Sequence, residues 1–277
     1  MKIKEEIIKS RANPFVKFAA SLADKKGRKN EKSFIIEGEK LTFEAIENNL
    51  PITHIVLLES KKDTVLPKIK PLLSKKEYDY TEVVIVSEEV FLKISSEKSP
   101  QGVISIIKYL DFFCNLDIIY KEEFFLKEAE RAVILCSLRD PGNLGSVIRS
   151  SVAFGVGHII LTDDCADLYN SKTVRAAMGS MFKIRATVIP SLADFIVAAQ
   201  GVGRRVFAAE LSAGAVSLDT LDFSKNDLVI IGNEGHGIPK EISEKCDGSV
   251  YIPISKNTES LNASVAAAIF MWEQSKK

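Results

Sequence analysis

Short apolar runs alternate with longer amphipathic segments along most of the chain. The runs are rich in Val and Ile and have the length of buried strands, whereas the segments between them repeat apolar residues every three or four positions, as helices do. The predicted strands are 34–38, 53–58, 82–87, 103–110, 132–138, 158–162, 186–190, 204–210, 227–232 and 249–254. The predicted helices are 3–23, 39–48, 144–154, 171–178, 191–200 and 261–274, with another beginning after Ser87. This order predicts an α/β fold with a mainly parallel sheet covered on both faces.

Two stretches without this alternation divide the chain. Residues 24–32, DKKGRKNEK, predict an exposed loop after a basic N-terminal helix, and residues 111–130 predict a linker that includes a helix. A length of 277 residues is also more typical of two domains than of one. We therefore expect a small α/β domain over 1–110, a linker over 111–130 and a parallel-sheet domain over 131–277.

Charge is unevenly distributed, although the chain as a whole is neutral. Residues 1–110 contain 20 Lys and Arg against 16 Asp and Glu, and within residues 1–32 the numbers are 10 and 4. A basic segment of this kind predicts an anionic partner. The candidate phosphate contacts are Lys25, Lys26, Arg28 and Lys29. A solvated lysine-rich helix that binds nothing would give the same pattern.

Composition disfavours several other classes of protein. Four cysteines without C-x-x-C spacing indicate reduced thiols, and three histidines without a ligand-like pair do not predict a metal site. No apolar run approaches ~18 residues and the N-terminus lacks an apolar signal core, so we expect neither export nor a membrane span. The expected location is the cytoplasm.

The stretch LRDPGNLGSVIRSSVAFG, residues 138–155, is the first candidate for chemistry. Its Asp-Pro-Gly turn is followed by Asn143, which we expect to cap a helix. Gly145 and Arg149 lie four residues apart and therefore on one helical face. A capped helix with a surface arginine would have the same sequence.

Two further stretches follow buried strands. In GNEGHG, residues 232–237, the glycines permit positive φ and close backbone approach, and Glu234 could accept hydrogen bonds from a ligand or from loop amides. In YIPISKNTESLNASVAAA, residues 251–268, Pro253 marks a strand that leaves the sheet. Ser260 is the predicted cap of the last helix. The apolar stripe predicted for that helix is Leu261, Val265, Ile269 and Trp272.

Together the three stretches resemble the three motifs of the SpoU (TrmH-like) RNA ribose 2′-O-methyltransferases, within the SPOUT superfamily. The matching residues are Asn143, Gly145 and Arg149 in the first motif, Gly232, Glu234, Gly235 and Gly237 in the second, and Ile252, Pro253, Ile254, Ser260, Leu261, Asn262 and Ser264 in the third. Residues 33–107 are similar to the small substrate-binding domain, related to the ribosomal L30e/L7Ae fold, that precedes the methyltransferase domain in some members.

The resemblance implies a SPOUT domain with a deep trefoil knot and a homodimer that binds S-adenosyl-L-methionine and RNA, without a metal. The implied cofactor-binding residues are Gly232, Asn233, Glu234, Gly235, Ile252, Pro253, Ile254, Leu261 and Asn262. The implied catalytic residues are Arg149, Asn143, Glu234, Ser260 and Asn262, and Arg149 and Arg175 are expected to contact RNA. We interpret Arg149 as a donor that orients the reacting groups, because an arginine side chain stays protonated in proteins and therefore makes a poor base.

The extra N-terminal domain favours ribosomal RNA over tRNA as the substrate. The alternatives are a tRNA 2′-O-methyltransferase, an antibiotic-resistance enzyme of the same design and an RNA-binding protein that keeps this fold without catalysis. A Rossmann dinucleotide enzyme is disfavoured because the glycine loop at 232–237 does not match G-x-G-x-x-G.

Overall fold

The structure is a computed structural model that describes residues 1–74, 78–115 and 131–276. It divides into two compact units. The first unit consists of Met1–Asp111 together with Tyr169–Phe182, and the second consists of Phe112–Leu168 together with the chain from Lys183 onward. Most of the predicted linker, residues 116–130, lies outside the described residues, and the helix predicted within 111–130 stays a prediction.

Residues 1–111 form a mixed sheet with helices on it. The strands are β1 (Lys2–Ile8), β2 (Ser33–Glu37), β3 (Ile52–Leu58), β4 (Glu82–Val86) and β5 (Val103–Lys108). The helices are α1 (Pro14–Ser21), α2 (Lys25–Glu31), α3 (Glu39–Glu47), α4 (Lys62–Leu72) and α5 (Glu88–Ile94). The strand order is β1-β4-β3-β5-β2, and β5 runs antiparallel to both of its neighbours.

The N-terminal segment differs from the predicted helix over 3–23. Residues Lys2–Ile8 form β1, which pairs in parallel with β4, and α1 begins only at Pro14. The side chain of Asn13 caps α1 by accepting a hydrogen bond from the Phe15 amide at 2.9 Å. A proline can start a helix, but it lacks the amide donor and disfavours helical backbone before it. The helix therefore cannot extend back through Pro14.

The segment predicted as an exposed loop, 24–32, forms α2 instead. Within it Arg28 is only 3% exposed, and its guanidinium donates to the carbonyl oxygens of Leu22 at 3.0 Å and Ala23 at 2.7 Å. These carbonyls end α1, so the structure assigns Arg28 to the fold rather than to a phosphate. The neighbouring Lys25, Lys26 and Lys29 are exposed.

The remaining residues form a second sheet. Its strands are β6 (Phe113–Asn115), β7 (Ala132–Leu135), β8 (His158–Thr162), β9 (Arg185–Ile189), β10 (Val206–Ala209), β11 (Val216–Ser217), β12 (Leu228–Ile231) and β13 (Gly248–Tyr251). The helices are α6 (Pro141–Ala153), α7 (Ser171–Ala177), α8 (Leu192–Gly201), α9 (Lys240–Ser243) and α10 (Ala263–Ser275). The order β11-β13-β10-β12-β7-β8-β9-β6 contains only parallel pairs. The predicted parallel sheet is confirmed, and the trefoil knot stays a prediction.

Two of the described strands of this sheet are buried along their whole length, which explains their unbroken apolar sequences. Every residue of β7 and of β12 is buried. Side chains of α8, among them Phe195 and Ile196, pack on one face with Ile134, Ile160 and Ile230. Strands covered on both faces lose the polar alternation that marks a half-exposed strand.

Helix α7 lies in the first unit, although its sequence falls within the predicted C-terminal domain. The ring of Tyr169, just before α7, stacks on Tyr109 with centroids 4.0 Å apart, and its hydroxyl accepts a hydrogen bond from the Leu110 amide at 2.9 Å. In α7 itself the Arg175 guanidinium pairs with Glu97. Apolar burial and these polar contacts hold the segment in the first unit. In the described ranges no helix has the length and apolarity needed to cross a membrane.

Candidate active site

A cavity of about 350 Å³ lies in the second unit, where β10, β12 and β13 end. These three strands are neighbours in the parallel sheet, so their carboxyl ends meet at one edge, which is the usual position of a ligand site in an α/β sheet. The sequence-predicted residues that line the cavity are Gly232, Asn233, Glu234, Ile252, Ile254, Ser260 and Leu261. Gly235, Pro253 and Asn262 are adjacent to these in sequence without being part of the lining.

Sequence reasoning missed part of the lining. Ala209 ends β10, Glu210 and Leu211 follow it, and Ala263 and Phe270 come from α10. The residues after β10 could have been found by noting that this strand ends at the same edge as β12. Which strands are neighbours is a property of the sheet order and not of any single motif.

The loop after β12 is closed by its own backbone. Asn233 and Gly237 exchange two backbone hydrogen bonds, of 3.1 and 2.9 Å. The Asn233 side chain donates to the Ser137 carbonyl at 2.7 Å and accepts from the Gly235 amide at 2.8 Å. A Cβ atom on Gly232 would lie 2.6 Å from the carbonyl carbon of Gly237. The loop therefore requires glycine at 232, and the φ of +67° at Gly237 favours glycine there too.

Helix α6 begins three residues earlier than predicted. Asp140 is its N-cap and accepts a hydrogen bond from the Asn143 amide at 2.7 Å, and Pro141 occupies the first helical position. The prediction that Asn143 is the cap is therefore wrong. Because Asp140 satisfies the helix end, the Asn143 side chain is available for other contacts.

Helix α10 is capped by Asn262 rather than by Ser260. The Asn262 side-chain oxygen Oδ1 accepts from the Ser264 amide at 2.9 Å and from the Val265 amide at 3.4 Å. The predicted apolar stripe is also wrong as a description of the buried face. Its members Val265 and Trp272 are 47% and 51% exposed, and the buried side chains of α10 are instead Ala263, Ala267, Phe270, Met271 and Gln274.

Three distant segments meet through a chain of side-chain hydrogen bonds beside the cavity. The Asn143 amide nitrogen donates to Glu234 Oε1 at 2.5 Å, and the Asn262 amide nitrogen donates to Asn143 Oδ1 at 3.0 Å. Each sequence motif thus contributes one member. Because Asn262 also caps α10, the orientation of both amides and of the carboxylate is fixed by the fold.

The two candidate arginines are in different surroundings. Arg149 is exposed on α6, and its guanidinium has no hydrogen bond or ion pair to any residue that the structure describes. It is therefore free to bind an external anion or hydroxyl. Arg175 lies in the first unit and is paired with Glu97, so an RNA contact would have to compete with this ion pair.

The described side chains include no group of three or more His, Cys, Asp or Glu placed to hold a metal ion. The polar groups in the described lining of the cavity are amides, hydroxyls and carboxylates, and Arg149 lies outside that lining. Such groups can bind, orient and hydrogen-bond a substrate.

The sequence matches two known protein-family models. Residues 130–272 match the SpoU rRNA Methylase family, and residues 13–105 match the MRM3-like substrate binding domain. The chain belongs to the SpoU rRNA methylase family. The predicted family and the predicted substrate-binding character of the N-terminal region are confirmed.

Individual relatives cover nearly the whole chain. The 23S rRNA (guanosine(2553)-2′-O)-methyltransferase RlmP of Bacillus subtilis is 31% identical over 96% of this chain and 97% of its own. The 23S rRNA (uridine(2479)-2′-O)-methyltransferase of Streptomyces viridochromogenes is 27% identical over 96% of this chain and 90% of its own. The structure of an AdoMet-bound rRNA methyltransferase from Sinorhizobium meliloti superposes with a TM-score of 0.82 and 31% identity, covering 99% and 98% of the two chains.

Proposed function

We propose that this protein transfers a methyl group from S-adenosylmethionine to a ribose 2′-hydroxyl of ribosomal RNA. Family membership supports this reaction, and two relatives of nearly full length are named as 23S rRNA 2′-O-methyltransferases. The observation that carries the proposal is the hydrogen-bonded chain Glu234–Asn143–Asn262 beside the cavity. It joins one residue from each of the three motifs, as a shared reaction centre requires.

The cavity suits S-adenosylmethionine in size and chemistry. Its volume of about 350 Å³ is within the range of small-molecule sites, and apolar side chains such as Leu211, Ile231 and Leu261 line it together with the glycine loop. The apolar wall would hold the adenine, and the loop backbone would hydrogen-bond its polar edge. When bound, the cofactor supplies an electrophilic methyl group on a sulfonium sulfur.

The residues of this chain would mainly orient the attack. A ribose hydroxyl is a weak nucleophile, so alignment of the reacting atoms and management of one proton are the main requirements. Arg149, exposed and unpaired within the described chain, would donate hydrogen bonds to the ribose hydroxyl or to a flanking phosphate. Asn143 and Asn262 would hold Glu234 in position, and Ser260 would face the reacting ribose from the cavity wall.

The first unit would supply RNA affinity. Its exposed Lys25, Lys26 and Lys29 project from one short helix and can neutralise phosphates. The match of residues 13–105 to a substrate-binding domain supports this division of labour and favours ribosomal RNA over tRNA. A ribosomal RNA substrate also implies a cytoplasmic enzyme.

We extend the proposal to a homodimer formed through α10. Val265 and Trp272 are seven residues apart on one face of this helix and are about half exposed, which is unusual for large apolar side chains. Phe154 contacts the Trp272 ring, with centroids 5.7 Å apart, and widens this apolar face. Sedimentation of the wild type and of Trp272→Glu would test it. A dimer in the wild type and a monomer in the variant are expected, whereas a monomeric wild type would refute the dimer.

A methyl-transfer assay tests the proposed reaction. Protein incubated with labelled S-adenosylmethionine should label 23S rRNA that lacks the modification, and the label should survive as a 2′-O-methyl nucleotide after nuclease digestion. The matched variant Arg149→Lys keeps the charge and loses the planar donor geometry, so turnover should fall. Binding of RNA without any transfer, in wild-type protein supplied with the cofactor, would favour the catalytically silent RNA-binding protein. Labelling of tRNA instead would favour the tRNA enzyme.

A further inference from the structure

The cavity at the ends of β10, β12 and β13 has a one-sided charge. Three carboxylates line it, those of Glu210, Glu234 and Glu259. Among the described residues of the lining, none is Lys, Arg or His. The remaining lining consists of apolar side chains, Ser and Tyr hydroxyls, an Asn and backbone. A ligand in this cavity therefore experiences a negative field without a compensating cation in the wall.

The three carboxylates are not equivalent. Glu234 is exposed and accepts a hydrogen bond from Asn143, and Glu259 is exposed. Glu210 is half-buried directly after β10. Its Oε1 accepts a hydrogen bond from Ser249 Oγ at 2.9 Å, and its amide donates to the Val250 carbonyl at 3.0 Å. Solvent screens the two exposed charges, so the field in the cavity comes mainly from Glu210.

The proposed reaction changes the charge of the bound cofactor. The bond between sulfur and methyl carbon breaks, a bond between the ribose 2′-oxygen and that carbon forms, and the 2′-hydroxyl proton passes to solvent water. The sulfur begins as a positive sulfonium and ends as a neutral thioether that keeps the electron pair. The ligand in the cavity therefore loses one positive charge in each turnover.

We propose that Glu210 makes the cavity selective for the sulfonium form of the cofactor over the thioether product. This inference rests on the proposed function, because it assumes that the cavity holds S-adenosylmethionine. A fixed carboxylate attracts the positive ligand and has no corresponding attraction for the neutral sulfur. Glu210 thereby favours binding of the methyl donor and release of S-adenosylhomocysteine. Glu259 contributes in the same direction, and less, since solvent surrounds it.

Calorimetry with three ligands tests this selectivity. The probes are S-adenosylmethionine, S-adenosylhomocysteine and sinefungin, in which a carbon that bears an ammonium group replaces the methylated sulfur and keeps a positive charge. In Glu210→Gln, affinity for both cationic ligands should fall roughly three- to tenfold, while affinity for S-adenosylhomocysteine should stay within about twofold. Glu259→Gln should show a smaller change of the same sign. Glu241→Gln removes an exposed carboxylate of α9 that is outside the lining and serves as the matched control.

Two further measurements keep the inference testable if Glu210→Gln does not fold. Ser249→Ala removes only the hydroxyl that orients Glu210, and the preference for the cationic ligands should fall in part. In the wild type, raising the salt concentration should lower this preference, because ions screen the carboxylate. Equal weakening of all three ligands, or an unchanged preference in both variants, would overturn the inference while leaving the proposed function intact. A wild type that binds neither S-adenosylmethionine nor S-adenosylhomocysteine would overturn the proposed function and this inference with it.

Discussion

Each of the two units contains a cavity, and the two cavities differ in how their charges are arranged. In the first unit a cavity of about 260 Å³ is lined by both signs of charge. Arg175 pairs with Glu97 and Lys40 with Glu44, while Glu37 accepts hydrogen bonds from the hydroxyls of Ser95 and Ser96. In the second unit the carboxylates of the cavity have no cation beside them in the described lining. The first cavity therefore has cationic side chains beside its carboxylates, whereas the charged side chains in the described lining of the second cavity are all carboxylates.

Strand direction accounts for much of this difference. In the mixed sheet, β5 runs against β2 and β3, so strand ends and their loops are shared between opposite edges. In the parallel sheet the loops after β10, β12 and β13 all leave from one edge. Polar groups that follow those strands therefore converge there. The first unit therefore presents charged side chains on its surface, whereas the second unit gathers polar groups around one cavity.

The largest effect is expected from a substitution in the glycine loop 232–237, which lines the cavity of the second unit. In Gly232→Val, the new Cβ atom would lie 2.6 Å from the carbonyl carbon of Gly237, which is too close for two non-bonded atoms. The loop would therefore have to change its backbone conformation. Affinity for S-adenosylmethionine should fall on the order of 100-fold or more in calorimetry. Gly201→Val is the matched control, since Gly201 lies outside the cavity lining and a Cβ there meets no heavy atom within 4 Å. Full affinity in a folded Gly232→Val protein would mean that the loop is not part of the cofactor site.

A large effect on turnover, with little effect on cofactor affinity, is expected from Arg149→Ala. The arginine lies on α6, outside the cavity lining, so affinity for S-adenosylmethionine should stay within about twofold. Turnover on RNA should fall on the order of 10²–10³-fold, because a donor to the transition state is removed. Arg139→Ala is the control, an exposed arginine that pairs with Asp164. Near-normal turnover of Arg149→Ala in single-turnover assays would remove Arg149 from the reaction.

An intermediate effect, confined to the first unit, is expected from neutralising α2. Replacing Lys25, Lys26 and Lys29 together by Gln should weaken RNA binding. The plot of log affinity against log salt should flatten by about 0.7–0.9 for each phosphate that these lysines no longer neutralise. Replacement of three exposed lysines elsewhere in this unit, Lys70, Lys93 and Lys98, is the control of equal charge. Equal slopes for the two triple variants would mean that α2 is a solvated helix and not a reader of RNA.

These substitutions are preferable to deletion of residues 1–110. Such a deletion would also uncover Tyr169 and the buried side chains of α7, which pack in the first unit. A truncated protein would therefore combine weaker RNA binding with disrupted packing. The lysine variants change charge alone.

The smallest effect is expected from a comparison of two histidines, one in a strand of each sheet. Burial, followed by Arg185 and Arg204, lowers the pKa of His158 in β8 to about 3. Burial also lowers the pKa of His54 in β3, but Glu82 opposes that shift. A folded-state pKa below the unfolded value means that His158 stabilises the fold above about pH 6.5, and this contribution is lost as the pH falls towards 3.

Urea unfolding between pH 7.5 and 5 measures this difference. The free energy of unfolding of the wild type should fall with pH by at most about 1.4 kcal/mol per unit from this one group. His158→Gln should flatten the dependence, and His54→Gln should change it less. Identical pH slopes in the wild type and in His158→Gln would contradict the effect of burial at His158.

The local sequence predicted an element accurately where apolar burial alone determines it. Buried strands such as 158–162 were predicted with the observed bounds because both of their faces are apolar. Helix starts were less accurate. Asp140, Asn143, Ser260 and Asn262 can all act as caps, and the choice between Asp140 and Asn143 depends on which backbone amides the chain leaves unpaired. The missed strand β6 shows the same limit, since three residues carry little periodicity until they lie beside β9.

The sequence alone determined the α/β class, the parallel sheet and the family, because these depend on the order of apolar runs and on short motifs that each fold locally. Only the tertiary structure decided that Asn143, Glu234 and Asn262 touch and that Glu210 joins the cavity. It also decided that Arg28 is buried and that Val265 and Trp272 are not. Neighbourhood in a parallel sheet follows from strand order, and strand order arises from packing over the whole unit. Residues 119 positions apart, such as Asn143 and Asn262, carry no local signal that they will share a hydrogen bond.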